Sequence, residues 1–210
     1  MTQDTSLNSS LATGGHNGVV INTTETFSGG VWSASHTLNE AQRGLHAGGG
    51  TSTSAMCAGG NNNAWANLTS TEKLVSGSWA SDTSLPVARY YTSGGGSPTN
   101  FLISHGNNTT QERENSLEYN GTSWSNLSSI GWNCYASATG GNATDGLTFG
   151  GYPSSGITTN CAKYNGSSWT STNALTSARY IHGGDGNSTD AVAYNGGQGS
   201  NTTRDNEKFN

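Results

Sequence analysis

Charge is what this sequence has least of. Lys and Arg number eight and Asp and Glu 13 among 210 residues. With no basic run, the chain has no electrostatic grip on phosphate, and nucleic acid is not an expected partner. Aliphatic side chains are also scarce: Leu, Ile, Val and Phe together number 27, against 31 Gly. No window approaches the roughly 18 consecutive apolar residues of a membrane-spanning helix. The polar start MTQDTSLNSS does not read as a signal peptide, and membrane insertion is not expected. The three cysteines, Cys57, Cys134 and Cys161, are odd in number and form no CxxC pair, so they read as small buried strand residues rather than a disulfide framework. Nor does any segment combine a 3.6-residue apolar period with caps, which predicts little or no helix. So lean a composition would suit a disordered chain, but such chains usually carry high net charge and few aromatics. Here the formal net charge is -5, with six Trp and eight Tyr to supply large apolar faces, and the chain is expected to fold.

What is present is a repeat. Trp32, Trp79, Trp124 and Trp169 are spaced 47, 45 and 45 residues apart. Five positions before each stands Phe27, Leu74, Tyr119 or Tyr164, and Phe209 follows 45 further on. Arg43, Arg89 and Arg179 make another series, with Asn133 in the gap. Short apolar runs closing on a Gly pair make one more, as in AMCAGG, LTFGG and AVAYNGG.

Each unit reads as four strands. The first is a run of small residues after the Arg position (AGGG, TSGGG, ASATGG, GGDG), and the second closes on the Gly pair. The third carries the Tyr or Phe and the fourth the Trp, joined at Asn120-Gly121 and Asn165-Gly166, the signature of a two-residue type I′ hairpin. Four short antiparallel strands in about 45 residues match one blade of a β-propeller. Small residues suit inner strands that converge on the axis, and Trp suits the widening gap between outer strands. The eleven Asn-x-Ser/Thr sequons, Asn120, Asn142 and Asn187 among them, read as turn chemistry.

This order of strands, followed by linkers such as SLPVAR and ALTSAR, resembles kelch-type propeller repeats. The Ser/Thr/Asn/Gly-rich style of YNGTSW and YNGSSW is similar to kelch-like modules of phage virion and tail-fibre proteins. WD40 repeats fit poorly, since no Trp-Asp pair occurs. The expectation is a single all-β domain over 1–210: a kelch-like propeller of five four-stranded blades, the first abbreviated. The approximate repeats are 8–42, 43–88, 89–132, 133–178, and 179–210 plus 1–7. The motif DTSL occurs at Asp4–Leu7 and at Asp82–Leu85, so residues 1–7 are expected to pair with 205–210 as the closing strand. SLATGG and GVVIN would then be the first strands of blade 1. In a competing alignment Gly14-Gly15 is the Gly pair of the second strand, blade 1 has no inner strand, and the chain is a window of a longer protein.

Topology puts certain residues on one face. Trp65 falls in a loop between second and third strands, and Trp132 in a loop between blades. Beside them open His46, Tyr90, Tyr91, Tyr135, His182, Arg89 and Arg179, with His105 at the same rim. Such an aromatic, weakly charged surface suits carbohydrate or a protein partner. The Arg series, repeated once per blade, also suits a structural task such as bonding loop carbonyls. The five histidines are scattered, and no pair has metal-motif spacing. The loop Asp185–Asp190 is loosely like a calcium site but is explained as an Asp/Asn/Gly turn. No cofactor, metal or catalytic residue is expected. The functional expectation is a non-enzymatic structural or binding module of an extracellular assembly. In the setting the resemblance implies, a phage virion appendage, it would contact a receptor glycan, a receptor protein, other virion subunits or copies of itself. A secreted bacterial lectin or adhesin is the alternative, followed by a secreted carbohydrate-active hydrolase or oxidase.

Overall fold

A computed structural model describes residues 10–40, 46–108, 112–199, 201–202 and 204–210, which contain strands, turns and loops but no helix. The molecule is a five-bladed β-propeller. Blade 1 is the antiparallel sheet β1 (Ser10–Thr13), β2 (Thr23–Ser28) and β3 (Val31–Thr37). Blade 2 has β4 (Ala47–Thr51), β5 (Ser54–Ala58), β6 (Thr71–Val75) and β7 (Ser78–Asp82) in simple order. Blade 3 has β8 (Gly94–Ser97), β9 (Asn100–Ile103), the short β10 (Gly106–Asn107), β11 (Glu112–Tyr119) and the long β12 (Trp124–Cys134). Blade 4 repeats the four-strand plan as β13 (Ala138–Asn142), β14 (Asp145–Phe149), β15 (Cys161–Tyr164) and β16 (Trp169–Ser171). Blade 5 pairs β17 (Gly183–Gly186) with β18 (Ala191–Tyr194), then a small hairpin of β19 (Gly197–Gln198) and β20 (Asn201–Thr202) leads to β21 (Asn206–Phe209) on the far side of β18.

The small residues of the inner strands have the cause the repeat implied. A Cβ added at Gly95 would lie 2.6 Å from the Gly141 carbonyl oxygen, and one at Gly140 would lie 2.8 Å from that of Gly186. Neighbouring inner backbones thus approach more closely than any side chain permits. The outer strands diverge, and indoles bridge them. Trp79 Nε1 donates to Thr24 Oγ1 of blade 1 at 3.0 Å, Trp124 Nε1 to the Thr83 carbonyl at 2.9 Å, and Trp169 Nε1 to Ser116 Oγ of blade 3 at 2.7 Å. Burial of the Trp79 ring contributes roughly 2–3 kcal/mol, the half-buried Trp124 and Trp169 contribute less, and the indole bond fixes the orientation of each. Turn chemistry holds the opposite end of the blades. Asn120, Asn142, Asn165 and Asn187 each accept, through Oδ1, the N–H and hydroxyl of the residue two ahead and the N–H of the next. In the Asp185–Asp190 loop, Asn187 Oδ1 is used in this way, while Asp185 Oδ1 accepts the Gly186 N–H.

Blade 1 follows the competing alignment. SLAT pairs directly with TTETF, Ser10 opposite Phe27, and GVVIN forms no strand. The Gly pair explains this: Gly14 and Gly15 have φ of 65° and 111°, close to the 63° and 107° of Gly150 and Gly151 after β14. β1 is therefore the second strand of its blade, and among the described residues blade 1 has no inner strand. Trp132 also differs from expectation, lying within β12 rather than in a loop, because β11 and β12 continue pairing through two register shifts. The expected strand at residues 1–7 and the position of Arg43 lie outside the described residues.

Candidate functional site

The blades present one aromatic surface at the end where the chain passes between them. Tyr90, Tyr135 and Tyr180 begin successive blades, and each backbone is bridged to the residue after a Gly pair or its equivalent, Asn107, Tyr152 and Gly197 respectively. The next residue in each case, Tyr91, Ala136 or Ile181, has φ between 46° and 55°. Such a conformation costs roughly 1–3 kcal/mol in a residue with a side chain, and it is least natural for β-branched Ile181. The compensation runs from blade to blade. Ala136 N donates to the Tyr91 carbonyl at 3.0 Å, and Ile181 N to that of Ala136 at 2.9 Å.

This strained belt lines up the tyrosines. Ring centroids are 4.8 Å apart from Tyr90 to Tyr91, 5.4 Å from Tyr91 to Tyr135, 5.6 Å from Tyr135 to Tyr152 and 5.3 Å from Tyr152 to Tyr180. Five rings therefore form a continuous arc over blades 3 to 5. One member of the arc, Tyr91, also lines an axial cavity of about 310 Å³, whose wall includes His46, Ser137, Ile181, His182 and Tyr194. No Asp, Glu, Lys or Arg is among the described residues that line it.

Beneath the arc is a cluster of hydroxyls shared between blades 3 and 4. Ser93 Oγ lies 2.7 Å from Thr139 Oγ1 and 3.3 Å from Ser137 Oγ, while Ser104 Oγ lies 2.5 Å from Thr139 Oγ1. His105 Nδ1 sits 3.2 Å from Ser137 Oγ. Burial pulls the His105 imidazole down to about 3, the charge of Arg89 adding to the effect and the Trp132 main chain opposing it. His105 is therefore neutral at ordinary pH, a hydrogen-bonding group rather than a cation. His182, at the cavity wall against the Phe149 ring, is likewise held at about 4 by burial and by the charge of Arg179. Its ring nitrogens are buried, with no hydrogen-bond partner within 3.5 Å among the described residues, and the Phe149 main chain, which favours the protonated ring, opposes the depression.

The expected face is thus partly assembled. Tyr90, Tyr91 and Tyr135 fall in the arc, and His46 and His182 at the cavity. Trp65 is 60 % exposed on a separate loop, where Asn63 Oδ1 accepts the Val20 N–H of blade 1 at 2.7 Å. Trp132 turns inward, its ring 5.2 Å from that of fully buried His105. Arg89 and Arg179 are buried as well. Arg89 Nη1 donates to the Asn115 carbonyl, and Arg179 donates to the carbonyls of Asn195 and Asp205 and pairs with Glu207. Tyr152 and Tyr180 were not singled out by the sequence. The signal for Tyr152 was its place directly after the Gly pair at 150–151, and for Tyr180 its place directly after Arg179. Among the described residues, no three His, Cys, Asp or Glu side chains converge as a metal site would require.

Fold and site together define a β-propeller with an axial cavity walled in part by tyrosine and histidine, with no charged side chain among its described lining residues. No family model and no curated protein sequence matches this chain. Its fold recurs in 160 solved chains. One of them, described as the structure of YjhT, superposes with a TM-score of 0.78 at 11% identity, covering 93% of this chain and 76% of that one. That likeness is one of fold, and fold alone assigns no function.

Proposed function

We propose that this protein is a non-enzymatic binding module of an extracellular assembly, holding a receptor glycan on its tyrosine arc. A kelch-like module of a phage virion appendage or tail fibre is the setting that its Ser/Thr/Asn/Gly-rich repeats fit. A secreted bacterial lectin would use the same face, and the particle or supernatant carrying the chain distinguishes the two. The observation that carries the reading is the run of five tyrosines, whose Tyr91 opens onto a cavity with no charged side chain among its described lining residues. Sugar rings offer apolar C–H faces for stacking and hydroxyls for bonding, and the arc supplies the matching parts. Its phenols are donors and acceptors, and the rings are amphipathic platforms. With no charged side chain among the described lining residues, recognition is expected to tolerate salt.

A glycan array tests this with the wild-type chain beside Tyr91→Ala and Tyr135→Ala. The reading expects a defined set of neutral glycans, with binding weakened roughly tenfold or more by each change, as befits an aromatic anchor of at least about 1.4 kcal/mol. No retained glycan, or retention indifferent to both substitutions, defeats it.

A further inference from the structure

Asn is followed by Gly four times in the chain, at Asn17, Asn120, Asn165 and Asn195. Such a pair is chemically labile, because the glycine main-chain nitrogen can attack the asparagine carboxamide carbon and no Cβ on the glycine obstructs it. The fold restrains three of the four. At Asn120 and Asn165 the carboxamide oxygen is fixed by the N–H and hydroxyl of the residue two ahead and by the N–H of the next. Those carboxamides are held away from the nitrogen they would have to meet. Asn195 has φ of 58° and its carbonyl accepts from the buried Arg179 guanidinium, while a Cβ at Gly196 would lie 2.7 Å from the Cβ of His182. That peptide is clamped from both sides.

Asn17 has no such restraint. It sits at the tip of a short loop between β1 and β2, closed by the His16–Val20 bridge and by Asn17 N donating to the Val19 carbonyl at 3.1 Å. Asn17 and Gly18 are exposed, and nothing lies within 4 Å of the place a Gly18 Cβ would take. Among the described residues, the Asn17 carboxamide has no hydrogen-bond partner. The Gly18 N–H donates to His16 Nδ1 at 3.4 Å. The nitrogen that must lose a proton in order to attack therefore already faces an imidazole lone pair able to take it.

We propose that Asn17 and Gly18 form a self-modification site with His16 as its general base. His16 Nδ1 takes the Gly18 amide proton, Gly18 N bonds to Asn17 Cγ, and the carboxamide nitrogen leaves as ammonia carrying that proton. Water then opens the resulting succinimide at either carbonyl, giving an aspartyl or an isoaspartyl residue at position 17. No electrons change hands, and water is the co-reactant. Either product adds a negative charge to the loop, and the isoaspartyl form adds one atom to its main chain. The effect reaches the neighbouring blade, because the Val20 N–H that closes this loop donates to Asn63 Oδ1 of blade 2 at 2.7 Å. Lengthening the loop should loosen that tie.

Peptide mapping by mass spectrometry tests the site in the full chain, aged folded and aged in urea. Folded, Asn17 should convert at least about tenfold faster than Asn120, Asn165 and Asn195, the advantage of a positioned base over none. In urea that lead should disappear. Another Asn-Gly site converting as fast as Asn17 in the folded chain, or a lead that survives in urea, overturns the proposal. The role of His16 is tested separately. His16→Ala should slow conversion of Asn17 at least about tenfold, and added imidazole should restore part of the rate. An unchanged rate, or a loss that imidazole leaves as it is, removes His16 from the reaction. Deuterium exchange at the Val20 amide should be faster in the isoaspartyl form than in the fresh chain, and equal exchange would overturn the predicted loosening.

Discussion

Lowering the pH from about 7.5 to about 5 should destabilise the fold through two histidines whose rings are neutral inside it. Burial sets His105 to about 3, and burial with the charge of Arg179 sets His182 to about 4, against an ordinary value of 6.5. As pH falls through the ordinary value, the unfolded chain takes up protons that the folded chain refuses. Both folded values are depressed, so stability is complete above about pH 6.5 and declines below it. At pH 5 each unfolded imidazole lies about 1.5 units below its pKa, which costs about 2 kcal/mol per histidine and about 4 for the pair. That is a large part of the roughly 5–15 kcal/mol that holds a domain together. Carboxylates act later. Hydrogen bonds outweigh burial at Asp82 and Glu207 and hold them below their ordinary values of 3.8 and 4.5, so their contribution fades only as pH falls below that range. Urea unfolding followed by Trp fluorescence at the two pH values should show the full loss in the wild type and little of it in the His105→Gln/His182→Gln double variant. Equal midpoints at both pH values, or the same loss in both proteins, would refute the reasoning.

Other expectations follow from single contacts. Gly95→Ala, whose new methyl would meet the Gly141 carbonyl at 2.6 Å, should cost about 2–3 kcal/mol by overpacking, whereas Gly48→Ala, with nothing nearer than 3.9 Å, should leave the melting temperature almost unchanged. Arg179→Lys cannot serve the carbonyls of Asn195 and Asp205 and the Glu207 carboxylate at once, so thermal unfolding should reveal a loss of about 2–4 kcal/mol. Asn165→Ala removes the acceptor for the Ser167 and Ser168 N–H groups. Those amides should exchange faster with deuterium, with about 1 kcal/mol lost from the turn.

The blades were legible because their causes are local and recur every 45 or so residues. A Trp five positions after an aromatic fixes a hairpin, and a Gly run fixes an inner strand, before any contact is known. Blade 1 was misread because SLATGG carries two signals at once, small residues and a Gly pair, and only the left-handed geometry of Gly14 and Gly15 shows which one governs. The site was less legible than the fold. Arg89, Arg179 and Trp132 are polar or aromatic residues at the right end of the blades, but the direction of a side chain depends on which carbonyls lie unpaired beneath it. At Arg179 those are Asn195 and Asp205, 16 and 26 residues away. The tyrosine arc, similarly, depends on left-handed residues at 91, 136 and 181 that nothing in a Tyr, Ala or Ile announces.

The central claim is that the arc is where a ligand sits, and ring-labelled tyrosine offers the most direct measurement. NMR titration with a glycan retained on the array should shift the ring signals of Tyr91, Tyr135 and Tyr152, while those of fully buried Tyr119 and Tyr164, packed against Trp124 and Trp169, stay in place. Saturable binding that leaves the arc signals unmoved would contradict the account.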